Sequence, residues 1–284
     1  MLKNSLLNPI KSLFAVYVIC WAFRILEYFF IRTDQSILGE AFLHKLAGIL
    51  ILALAVRRFA LRWPEIGFRK RAAAKNLLLG LMIGVAAFLP AYGAEMYLQA
   101  AGGHNPALQL YVSSYSVSGN LGHQTGLLFF SICALGNIIN VVMEEGIFRG
   151  LFLNLAERRM SFLRAVLLSS FLFGVWHIAA PVRSLLDGEI SPAGAMMSSI
   201  MLIVTAGLTG AVFCLLTKMT GSLWTAMAAH FVNNFVVNIL HITTAAGADE
   251  LQVIRITIAQ TLSFLIVLVL YLKSGAHRRE TFHR

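Results

Sequence analysis

The stretch LLFFSICALGNIINVVMEEGIFRGLFLNL, from Leu127 to Leu155, decides the fold. A helix crosses a bilayer with roughly 20 mostly apolar residues, and this run is long enough. Yet its second half carries Glu144, Glu145 and Arg149. Charges at such depth are costly in lipid, so the run belongs to a bundle that turns them inward.

The rest of the chain agrees. Of 284 residues, 58% are hydrophobic and 13% charged, and the mean hydropathy is +0.75. Soluble domains lie near half apolar and a quarter charged, so this chain cannot cover itself with polar groups. Hydropathy places eight spans, at 12–31, 37–56, 76–99, 127–155, 162–181, 195–217, 222–243 and 252–272. No internal repeat, low-complexity tract or long polar segment interrupts them. The expectation is an all-α polytopic protein, one membrane domain over 1–284 with about eight transmembrane helices.

Lys and Arg orient it. The start holds Lys3 and Lys11; the second connection holds Arg57, Arg58, Arg62, Arg69, Lys70, Arg71 and Lys75. Arg158, Arg159 and Arg164 mark the fourth connection, Lys218 the sixth, and Lys273, Arg278, Arg279 and Arg284 the tail. The third connection, 100–124, has neither Lys nor Arg; the fifth has Arg183 beside Asp187 and Glu189, and the seventh has Asp249 and Glu250. Both termini and the even-numbered connections therefore face the cytoplasm. This distribution explains the net charge of +10 without nucleic acid. Segment 57–75, with Trp63, Ile66 and Phe68, reads as a topology anchor, the alternative being a seat on anionic headgroups. Trp63 and Tyr271 fall at inner span ends. No cleavage pattern follows Trp21-Ala22-Phe23-Arg24, so the first span is read as retained. Cys20, Cys133 and Cys214 lie far apart in apolar runs and give neither a disulfide framework nor a thiolate metal site.

Helical spacing separates the charges of the fourth span. Glu145 and Arg149 are four apart, acid first, the favourable order for an ion pair within a helix. Glu144 lies about 100° away, on the stripe of Asn137 and Asn140, without a cation in its own helix. Glu145 and Arg149 read as scaffold and Glu144 as chemistry. The fifth span offers Phe173-Gly174-Val175-Trp176-His177, and the seventh His230-Phe231-Val232-Asn233-Asn234, with Asn238 and His241 continuing that stripe.

Depth joins these residues. Glu144 precedes Arg158 by 14 positions, ~21 Å of helix, and His177 follows Arg164 by 13, ~20 Å. His230 and Asn234 lie at most ~18 and ~24 Å beyond Lys218. Unrelated structural groups have no reason to share a level, so these form one site. A carboxylate with imidazoles can deprotonate water while His and Asn stabilise an oxyanion. Alternatively Glu144, His177 and His230 can hold Zn²⁺ with one open position, weakly and exchangeably, because each helix offers a single ligand. Either route is hydrolysis by activated water, with a membrane-tethered peptide or protein as the natural substrate.

Glu144-Glu145-x-x-x-Arg149, Phe173-x-x-x-His177 and His230-x-x-x-Asn234 resemble, in order and spacing, the three motifs of the CAAX-protease and bacteriocin-processing (CPBP) family. The likeness covers about 127–240, the expected catalytic core. It implies an eight-helix intramembrane endopeptidase, often labelled a metalloprotease, that opens toward the cytoplasm. It implies Glu144 as the base for water, His177 as its assistant, and His230 with Asn234 as the oxyanion site. Glu145 and Arg149 would hold the helix, with Phe173 supporting the site. Two rivals remain: a membrane-embedded binding or immunity protein that cuts nothing, and a proton-coupled transporter. Repeated halves and broken helices, expected of a transporter, are not visible in the sequence.

Overall fold

A computed structural model describes residues 8–36, 39–113 and 122–275. Lys3, Arg278, Arg279 and Arg284, on which the placing of the two ends partly rests, lie outside the described residues, as does 114–121 of the third connection. The chain is an all-α, multi-pass membrane protein.

Helix α1 is Pro9–Ile25, started by Asn8, whose side chain accepts from the Ile10 amide, and by Pro9 in the first turn. It runs on as π-helical turns over Leu26–Ile31. Helix α2 is Leu43–Arg58 and α3 is Ala73–Ala101. Helix α4, Leu127–Glu144, passes into a π-helical segment, Glu145–Phe152, and then into the short α5, Leu153–Glu157. Helices α6, Phe162–Trp176, and α7, Ala179–Leu186, follow. Helix α8, Pro192–Thr220, ends on left-handed Gly221, and Ser222 caps α9, Leu223–Ile239. Helix α10 is Gln252–Ser274.

Among the described residues, six helical stretches are long and apolar enough to cross a membrane: Pro9–Gln35, Ala73–Ala101, Leu127–Glu157, Phe162–Leu186, Pro192–Thr220 and Gln252–Ser274. The expected spans 37–56 and 222–243 become α2 and α9, with 16 and 17 residues. At 1.5 Å per residue each is roughly 25 Å long, short of a ~30 Å hydrocarbon core. Both losses have causes. Helix α2 begins only at Leu43, where the Glu27 carboxylate from the end of α1 accepts the amides of Leu43 and His44 at 2.8 and 2.6 Å. Helix α9 stops because the chain turns extended: β2, Leu240–Thr243, pairs antiparallel with β1, Ala107–Leu110. The hydropathy reading contains no such strand pair, which joins segments far apart in the chain. The pairing moves His241 off the expected helical stripe, while Asn238 remains in the last turn of α9. The expected span 162–181 likewise breaks at His177 and resumes as α7.

Three helix contacts set the frame. α3 packs on α9 and α10, and α6 on α8. A Cβ at Gly80 would collide with the Thr225 carbonyl of α9, and one at Gly174 with the Ile203 carbonyl of α8. The basic connections meet on one face, where Lys218 pairs with Glu157 at 2.5 Å and the Asn154 amide donates to the Glu65 carbonyl at 3.4 Å. All seven basic residues of 57–75 are exposed there. On the opposite face lie β1, β2 and Asp249, whose carboxylate meets the His241 ring at 2.5 Å. There too Arg32 and Arg183 both reach Asp187, and Arg183 grips Asp34 at 2.8 and 2.9 Å.

Candidate active site

Glu144 ends the α-helical part of the fourth span and Glu145 opens its π-helical part. Short π segments are uncommon and gather at functional sites. Here the change of helix type falls between two carboxylates that turn to different neighbours. Glu144 Oε1 accepts from the Trp176 indole N–H of α6 at 3.0 Å, and Oε2 accepts from Asn140 Nδ2 at 3.3 Å. Glu145 Oε1 accepts from Arg149 Nη1 at 3.1 Å and from His230 Nδ1 of α9 at 2.8 Å. Both carboxylates are buried.

His230 joins the pair. With Nδ1 bound to Glu145, its Nε2 lies 3.7 Å from Glu144 Oε2. Its ring stacks on Phe213 at 4.7 Å. His177, half-buried at the end of α6, bonds through Nδ1 to the Phe173 carbonyl at 2.8 Å. A carbonyl only accepts, so the proton sits on Nδ1 and Nε2 is left as the basic nitrogen, a tautomer assigned from the partner. His177 and His230 both lie close enough to Glu144 to act on it electrostatically. Phe173 seats the scaffold: its ring lies 3.9 Å from the Arg149 guanidinium carbon and 4.7 Å from the His177 ring. Asn234 stands one turn beyond His230, its amide oxygen taken by Asn233 at 3.1 Å.

The structure thus brings Glu144, Glu145, Arg149, Phe173, His177 and His230 into one cluster and places Asn234 beside it. Glu145 does more than expected, since it orients His230 as well as pairing with Arg149. His241 is elsewhere, held by Asp249 and by the Tyr111 carbonyl at 3.0 Å.

The sequence reading missed the second wall of the site. Trp176, the donor to Glu144, has no role in that reading beyond its place in the run ending at His177. Behind it sit buried Arg24 and Glu27 from the first span, with Glu40, His44 and Lys45 at the start of the second. Arg24 and Lys45 also act on Glu144. The rule that flagged Glu144, an ionisable group at membrane depth, applies equally to Arg24 and His44 and would have found them.

The fit to a metal is incomplete. His177 and His230 each have Nδ1 engaged and Nε2 left over, which is how metal-binding histidines are oriented. Both oxygens of Glu144, however, already accept hydrogen bonds. Among the described residues no three His, Cys, Asp or Glu are grouped to hold a metal ion. The donors are right in kind but not assembled as a cage.

Fold and site together define a polytopic membrane protein with a buried carboxylate–imidazole centre built from α4, α6 and α9. Residues 126–236, a segment that contains every member of that centre, match the family described as type II CAAX prenyl endopeptidase Rce1-like. That segment is under half of the chain, and over it the chain is similar to the CAAX-protease family. No curated protein and no solved structure gives a significant match.

Proposed function

We propose that the protein is an intramembrane endopeptidase that hydrolyses a membrane-tethered peptide or protein with water activated by Glu144. The observation that carries this reading is the hydrogen-bonded Glu144 carboxylate facing His230 Nε2 across 3.7 Å, inside the segment that matches a protease family. Glu144 takes a proton from water as the oxygen attacks the scissile carbonyl carbon. His230, fixed through Nδ1 by Glu145, and the Asn234 NH₂ flank the developing oxyanion. Collapse breaks the C–N bond, and the proton held by Glu144 leaves with the amine. His177 Nε2 lies on the same centre and shares the proton traffic. Glu145, Arg149 and Phe173 keep the two helices in register. A bound metal would polarise the carbonyl or the water; none of these steps depends on it.

Segment 127–240 is the catalytic core in this reading, and the outer helices complete one membrane domain. With α2 and α9 counted as short crossings, the chain crosses eight times and both ends face the cytoplasm with 57–75. A cysteine placed in segment 100–124, labelled with an impermeant reagent, tests this: ready labelling from the cytoplasmic side would contradict it. Peptidomics of membranes carrying wild type or Glu144→Gln tests the activity. Peptides that accumulate with Glu144→Gln and vanish with wild type are expected. Full retention of function by Glu144→Gln would favour a binding or immunity protein, and loss of proton-linked uptake a transporter. Prolonged chelation with zinc add-back decides the metal: recoverable partial inhibition marks a weakly held ion.

A further inference from the structure

We propose that Trp176 is a positioning residue for Glu144, and that Arg24 of the first helix locks the indole in place. This rests on the reading of Glu144 as the base. The terminal torsion of a glutamate is broad, so an unanchored carboxylate swings freely. The Trp176 N–H, which can only donate, meets Glu144 Oε1 at 3.0 Å and leaves Oε2 toward His230 Nε2. Trp176 needs that contact fixed on its other side, and the surrounding residues supply it. Its ring is packed by Trp21 at 5.6 Å and Phe148 at 6.0 Å, and the Arg24 guanidinium carbon sits 4.4 Å from it.

Arg24 is itself held. Nη2 donates to the Tyr28 hydroxyl and Nη1 to His44 Nε2, each at 3.2 Å. An acceptor role at Nε2 puts the His44 proton on Nδ1, which faces Glu27 Oε2 at 2.5 Å. Glu27 in turn takes the Thr33 hydroxyl and the two first amides of α2. A continuous buried chain therefore runs from Glu27 through His44, Arg24 and Trp176 to Glu144. Four of its five members have their place fixed by groups outside the reacting centre. Arg24, Glu27 and His44 also lie outside 126–236, so helices α1 and α2 complete a site whose reacting groups all belong to the matched segment. Packing alone would not direct the one polar atom of the indole onto the carboxylate.

The test uses the full chain in lipid nanodiscs and two arms. In the first, Trp176 is exchanged for β-(3-benzothienyl)alanine, which keeps the ring shape and removes the N–H. Turnover is read on quenched peptides, one with a farnesylated CAAX end and one with a plain acyl anchor. A fall in kcat of about tenfold or more is expected from loss of a hydrogen bond to a charged group, with KM and the melting midpoint unchanged. Arg24→Gln should move kcat the same way by less. In the second arm Trp21, Trp63 and Trp224 become Phe, so that of the four tryptophans only Trp176 emits. Glu144→Leu should then shift its emission. Unaltered kcat with the benzothienyl residue, or unmoved emission with Glu144→Leu, overturns the proposal. Cleavage that survives Glu144→Gln, or a wild type that cuts neither peptide, overturns the hydrolase reading instead, and the emission arm still reports the contact.

Discussion

Among the ionic networks that the described residues bury, two are built on opposite plans. At the β1–β2 end of the bundle, Arg255 of α10 pairs with Glu95 of α3 at 2.9 Å and with Asp249 at 2.9 Å, and Asp249 also meets His241. The Arg255 guanidinium carbon sits 4.4 Å from the Tyr92 ring, so its face is covered as well. In that network each carboxylate touches a cation or an imidazole directly. At the candidate site Glu145 is treated the same way, by Arg149 and His230. Glu144 differs: its hydrogen bonds come from the neutral donors Trp176 and Asn140, His230 Nε2 stands off at 3.7 Å, and the cations Arg24 and Lys45 act from further away. A carboxylate in a direct ion pair has its charge offset by the cation beside it. One oriented by neutral donors keeps basicity for a substrate or a water. On the reading proposed above, the first arrangement serves structure and the second chemistry.

The strongest way to break this contrast is Glu144→Gln. The amide can still accept from Trp176, so folding should be unchanged. Activity should fall by about 10²–10⁴-fold, the usual range for a lost general base. Extracted protein yield, melting midpoint and peptide turnover measured together decide it. A loss of stability matching that of an ion-pair variant would put Glu144 among the structural carboxylates.

Arg149→Ala and Arg255→Ala should behave as a pair of the opposite kind. Each removes the cation from a fully buried carboxylate. Breaking such a pair costs about 3–5 kcal/mol in soluble proteins, because the remaining charge stays buried. Thermal melts and the fraction of protein that survives extraction should drop in both. What distinguishes them is turnover by the folded remainder. It should be normal in Arg255→Ala and reduced in Arg149→Ala, since Glu145 then holds His230 less firmly. Normal turnover in the folded Arg149→Ala fraction would separate the scaffold from the site.

How much of this was legible in the sequence follows from the range over which each interaction acts. Glu145–Arg149 was readable because both ends lie on one helix, four residues apart. The convergence of Glu144, His177 and His230 was readable because basic residues fix depth and 1.5 Å per residue does the rest. Depth says nothing about azimuth, so the Trp176–Glu144 bond, formed across two helices 32 positions apart, could not be read. The shortening of 37–56 to α2 and of 222–243 to α9 has one cause. Hydropathy sees apolar side chains, whereas the start of α2 and the end of α9 are set by backbone partners: the Glu27 carboxylate and strand β1. His241 was misplaced by that second shortening, since an apolar run continues smoothly from helix into strand.

The smallest expected effect lies at Asp249, the carboxylate of the Arg255 network that falls outside the six apolar helical stretches. Burial would raise the Asp249 carboxyl, but the His241 ring, Arg255 and the Ile242 amide outweigh it and hold it below its ordinary 3.8. A depressed acid contributes stability above its unfolded value, and that contribution is lost as pH falls through the folded one. The β1–β2 pair should therefore be insensitive to pH from 7 down to the ordinary carboxylate range and loosen only below about pH 4. The Ile242 amide reports this directly, because it donates to Asp249 Oδ1 at 3.2 Å. Its hydrogen-exchange protection, corrected for the intrinsic rate, should fall in acid for wild type. In Asp249→Asn it should be lower throughout and nearly flat, with Glu95 left to supply any residual slope. Protection in wild type that declines already between pH 7 and 5 would mean that Asp249 is not held by its partners. The outer network would then be no more closed than the site it is contrasted with.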